Sequence, residues 1–156
     1  MKNVRIMRNK MAAQNIDASK VNVSNIIDIS LLDNQGNRRS LTDLKGKVVM
    51  LDFHVFGSNG STKRIMEMRE LYNKYHDRGF EIYQVAFDPD EHFWKTQTAA
   101  LPWISVRDPQ GLQSQNLAAY NVSSIPTFFL IDRNNEVKKR DSQITDIDAE
   151  ITALLN

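Results

Sequence analysis

Val48-Val49-Met50-Leu51-Asp52-Phe53 runs directly into His54-Val55-Phe56-Gly57-Ser58-Asn59-Gly60-Ser61. The first six residues are apolar except for Asp52. That run is too short for a helix and rich enough in apolar side chains for a strand covered on both faces. The next eight residues hold two glycines and two serines, a loop composition. Beyond them Ile65, Met68, Leu71, Tyr72 and Tyr75 recur at three-to-four spacing, and Gly79 supplies a left-handed stop. This spacing predicts an amphipathic helix.

Upstream, residues 26–40 read as a hairpin that turns at Asp33-Asn34-Gln35-Gly36. Thr42 to Gly46 reads as a short helical turn stopped by glycine. Downstream, residues 80–87 form a buried strand, and Asp88-Pro89-Asp90-Glu91 opens a helix, with Asp88 as cap and Pro89 at the first helical position. Further strands are expected at 103–106, 127–131 and 136–140, with helices at 112–120 and after Thr145, the latter capped by Thr145 with Asp148. Strands alternating with helices, followed by a late hairpin, give an α/β domain with a mixed sheet flanked by helices. Residues 1–25 read as a poorly ordered polar tail and 26–156 as one domain.

The chain of 156 residues is long enough to bury a sizeable core. A net charge of +1 gives no electrostatic reason to expect nucleic acid. No apolar run reaches the ~18–20 residues that a membrane span requires. The first 25 residues carry Lys2, Arg5, Arg8, Lys10 and Lys20 without the apolar core of a secretory signal. Cysteine is absent. His54, His76 and His92 fall on different elements without ligand spacing, so neither a metal nor a cofactor is expected.

The order of elements and four local patterns resemble the thioredoxin-like family. The branches concerned are the membrane-tethered bacterial thiol-disulfide oxidoreductases and the alkyl hydroperoxide reductase/thiol-specific antioxidant group. Leu41-Thr42-Asp43-Leu44-Lys45-Gly46-Lys47-Val48-Val49 looks like that family's entry into its first core strand, and Leu51-Asp52-Phe53 like the strand end that holds its buried acid. Residues 71–82 look like its helix-to-strand passage, and 122–132, with Ile125-Pro126, like its strand opened by a cis-proline. The resemblance implies a thioredoxin-like three-layer sandwich with an N-terminal hairpin extension, and a place in the bacterial cell envelope. The family's motif is Trp-Cys-Gly-Pro-Cys. Here Gly57 replaces the tryptophan, Ser58 and Ser61 take the cysteine positions, and Asn59 and Gly60 lie between them.

Disulfide exchange needs one sulfur to attack and a second to resolve the intermediate, which a hydroxyl pair cannot provide. The expected function is therefore a binding or structural module without redox turnover. The alternative is an oxidoreductase or antioxidant that works without a disulfide. Ser58 reads as the cap of the helix that follows. Asp52, placed in an apolar strand, is expected to have a raised pKa. A hydrolytic Ser58/His54/Asp52 set is conceivable but lacks a visible oxyanion arrangement or nucleophile elbow. Two readings stand for Pro126. It is either the residue that starts a strand without needing a donor, or one wall of a groove for extended peptide bordered by Phe56, Gly57, Ser58, Ile125 and Pro126.

Overall fold

The computed structural model describes residues 26–156, and the expected tail at 1–25 lies outside them. Among the described residues seven strands form two sheets. A small hairpin pairs β1 (Ser30–Leu32) with β2 (Arg38–Ser40). The main sheet has the order β5-β4-β3-β6-β7, with β3 (Val48–His54) at its centre. On one side β3 runs parallel to β4 (Phe80–Ala86), which runs parallel to β5 (Ile104–Arg107). On the other side it pairs antiparallel with β6 (Thr127–Ile131), and β6 with β7 (Val137–Arg140). The sheet is mixed, as the alternation predicts. Of the late hairpin only β7 is an edge, because β6 lies inside between β3 and β7.

All seven residues of β3 are buried, and alternate side chains serve opposite faces. Val49, Leu51 and Phe53 join Leu117 of α3 (Gln115–Ala119), together with Tyr120 and Phe129. Val48 and Met50 join Met68, Leu71, Tyr72 and Tyr75 of α1 (Ser61–Tyr75), with Ile151 and Leu155 of α4 (Ile147–Leu155). Helices thus cover both faces. Each large apolar side chain buried this way contributes roughly 1.5–3 kcal/mol. Trp94 of α2 (Glu91–Thr98) closes a third cluster with Phe56 and Ala86.

The helix starts differ from expectation in one consistent respect. Ser58 does not cap α1; its hydroxyl donates to Val55 O at 2.6 Å, and Gly60, at φ +86°, holds the cap position without a side-chain bond. At α2 the cap is Asp90, which accepts from Phe93 N, and at α4 it is Asp146, which accepts from Ala149 N. Asp88 is drawn elsewhere, as described below. The helix expected at 112–120 divides into a 3₁₀ turn at Gly111–Gln113 and the short α3. Gly79 ends the α1 segment at φ +105° as expected. A Cβ there would lie 2.7 Å from Arg133 Nη1. That guanidinium donates to the carbonyls of Gly46, Arg78 and Leu155.

Candidate functional site

The carboxyl end of β3 meets the amino end of α1 around a buried carboxylate. Asp52 is fully buried. Its Oδ1 accepts from Arg64 Nη2 at 2.6 Å and from Nε at 3.0 Å. Its Oδ2 accepts from Gln84 Nε2 at 3.1 Å and lies 3.5 Å from His54 Nδ1. Trp103 Nε1 donates in turn to Gln84 Oε1, which fixes the amide. Burial by itself raises the pKa of Asp52. The His54 ring beside it and the Arg64 charge outweigh it, so the carboxyl is held below its ordinary value. The expected upward shift is therefore corrected: an apolar strand surrounds the acid, but a cation from the neighbouring helix neutralises the cost.

His54 is the next inward-facing side chain on the same strand, almost fully buried, with its ring edge-on to Phe56 at 4.5 Å. Its Nε2 lies 2.7 Å from Ser61 Oγ. Ser61 is the first residue of α1 and is buried, whereas Ser58 is exposed. The two serines therefore have different environments. Only Ser61 meets the histidine.

A cavity of about 210 Å³ opens on this cluster, with His54, Ser58, Ser61, Lys63, Arg64 and Pro126 in its lining. The Ile125–Pro126 bond is cis. Ile125 packs its side chain against the core, and among the described residues no hydrogen bond reaches its backbone N–H or C=O. Ser58 and Pro126 thus share one wall system, and Gly57 is exposed beside it. Phe56 points away, buried against Ala86 and Trp94, and does not border the cavity. Asp88 shapes the loop from outside it, accepting from Phe56 N at 2.9 Å and Gly57 N at 3.0 Å. Among the described residues no group of three or more His, Cys, Asp or Glu converges as a metal set would. No helix among them is long and apolar enough to cross a membrane.

Arg64, Gln84 and Asp88 complete the site and are not evident from the loop motif. Arg64 does carry a signal: it occupies the 64, 68, 71, 75 stripe that is otherwise apolar, so a charge there must face a partner.

The AhpC/TSA family model matches residues 23–140. Over 116 residues the chain is 36% identical to the thiol-disulfide oxidoreductase ResA of Geobacillus kaustophilus, covering 72% of this chain and 64% of that protein. It therefore spans less than two thirds of the length of such curated relatives. Among solved structures, an uncharacterized thioredoxin-like protein from Bacteroides vulgatus is 53% identical, with a TM-score of 0.79 over 83% of this chain and 86% of that one. A thiol:disulfide interchange protein from Bacteroides sp. is 26% identical, with a TM-score of 0.77 over 90% and 93%.

Proposed function

The chain belongs to the AhpC/TSA family with a thioredoxin-like fold, and from that premise we propose that it acts by holding extended polypeptide, without disulfide exchange. The chain has no sulfur that can enter a disulfide, since cysteine is absent from all 156 residues. The reading rests chiefly on Ile125. Among the described residues its backbone donor and acceptor have no hydrogen-bond partner, and the proline that follows lines the same cavity as Ser58 and Ser61. Unpaired main-chain groups beside a loop of this kind suit the addition of a strand-like segment, with affinity coming from backbone hydrogen bonds and selectivity from the neighbouring side chains. Oxidoreduction through Asp52 as a proton carrier is disfavoured, because Arg64 holds that carboxyl ionised.

A titration with an unfolded polypeptide whose cysteines are alkylated tests this reading. Amide shifts are expected at Ser58, Ser61 and Ile125, with no reduction of insulin by the pure protein. Shifts confined to the β7 edge or to α2 would refute the docking site. Insulin turnover would refute the absence of exchange.

A further inference from the structure

We propose that Ser61 is a nucleophile activated by His54, and that the cavity above it accepts and hydrolyses small carboxylic esters. Three side chains lie in sequence: Asp52 Oδ2 at 3.5 Å from His54 Nδ1, and His54 Nε2 at 2.7 Å from Ser61 Oγ. A serine becomes nucleophilic when a base lies within hydrogen-bond reach and a third group orients that base. Here the base and the acid sit two residues apart on β3, and the serine enters from the first turn of α1. His54 Nδ1 makes no hydrogen bond among the described residues, and the Asp52 carboxylate 3.5 Å away is the charge that favours a proton on that nitrogen, which leaves the Nε2 lone pair facing the Ser61 hydroxyl. Arg64 keeps Asp52 ionised and Gln84 holds its second oxygen, so Asp52 acts as a positioning residue through His54.

Burial, access and the start of α1 also favour this point. All three side chains are buried, with relative exposures of 0%, 1% and 8% for Asp52, His54 and Ser61, so bulk water does not compete for the base. The cavity reaches both His54 and Ser61 and continues to Pro126. α1 is 15 residues long, and the N–H groups of Thr62 and Lys63 fall in its first turn, where donors have no intrahelical acceptor. They carry the positive end of the helix and suit a developing oxyanion. Ser58 lines the same cavity but is exposed, and its hydroxyl donates to Val55 O rather than meeting the histidine.

In the first step Ser61 Oγ bonds to the acyl carbon and its proton passes to His54 Nε2. The carbon–oxygen bond to the alcohol then breaks, and the leaving alkoxide takes that proton. Water repeats the sequence on the acyl-serine, releasing a carboxylic acid and restoring the hydroxyl. No electron is gained or lost. A cavity of about 210 Å³ has room for a short acyl group.

The test uses the intact protein with a fluorophosphonate probe and with 4-nitrophenyl acetate, read by intact mass and by peptide mapping. One adduct on Ser61 is expected, together with a burst of one equivalent of nitrophenol. Labelling should vanish in guanidinium chloride. Labelling of folded His54→Gln should slow about 100-fold, the general-base contribution, and Asp52→Asn should alter the pH profile of labelling. Absence of an adduct on folded protein, an adduct on Ser58 or a lysine, labelling that survives denaturant, or an unchanged rate in His54→Gln would each overturn the assignment. None of these outcomes bears on polypeptide docking, which the shift titration reads separately.

Discussion

Asp52 receives both Arg64 nitrogens on one oxygen and Gln84 on the other, in a site closed to water. Replacing it by asparagine keeps the volume but leaves Arg64 without its counter-charge, a change that costs about 3 kcal/mol in buried pairs. Because the folded pKa lies below the ordinary 3.8, the carboxylate's contribution is complete above that value and is lost as pH falls through the folded one. Native protein and Asp52→Asn should therefore differ in denaturant midpoint at neutral pH and converge in strong acid. A gap that stays constant with pH would contradict this account. The acid itself is legible in sequence, being the one polar residue in an apolar run. Its ionisation is not, because Gln84 lies 32 residues away in the chain and meets it only after β3 and β4 align.

At the scale of single elements, the hairpin and its lead-in are fastened by two tyrosines of the main domain. Tyr83 donates to the carbonyls of Ile29 and Arg39. The Tyr120 hydroxyl donates to Ile27 O and accepts from Ile27 N at 3.0 Å. Burial raises the pKa of both phenols, which keeps them protonated and able to donate. Tyr120→Phe should cost about 1 kcal/mol through the lost bonds and release local amide protection at Ile27 while β3 stays protected. Hydrogen exchange measures this, and an unchanged Ile27 would argue that the contact is incidental. Element existence was legible here from periodicity, and element starts were not. Asp88 and Asp90 both have cap chemistry, and only the distant N–H groups of Phe56 and Gly57 determine which of them is free to cap. At α1 the spacing offered Ser58, but its hydroxyl turns back to Val55 O and the helix starts only after Gly60, whose positive φ suits glycine.

For the molecule as a whole, the short continuous apolar run of β3 was enough to foresee a sheet covered on two faces, and the late hairpin to foresee its mixed direction. What one chain pattern cannot state is strand order, which depends on β6 returning beside β3 rather than at the rim. A protein built on this plan without thiols should be indifferent to redox poise. Its melting temperature is expected to be the same in dithiothreitol and in oxidised glutathione, and a reproducible shift in calorimetry would show that sulfur chemistry other than cysteine matters to the fold.

The carboxylate of Asp88 grips the two peptide groups that precede the serines while touching neither serine. The path of the loop into the cavity is thus set from the turn after β4, while the side chains at positions 58 and 61 line what that loop opens. A change of the atoms at those two positions would therefore leave the main-chain threshold that a visitor must cross still tied to the same carboxylate.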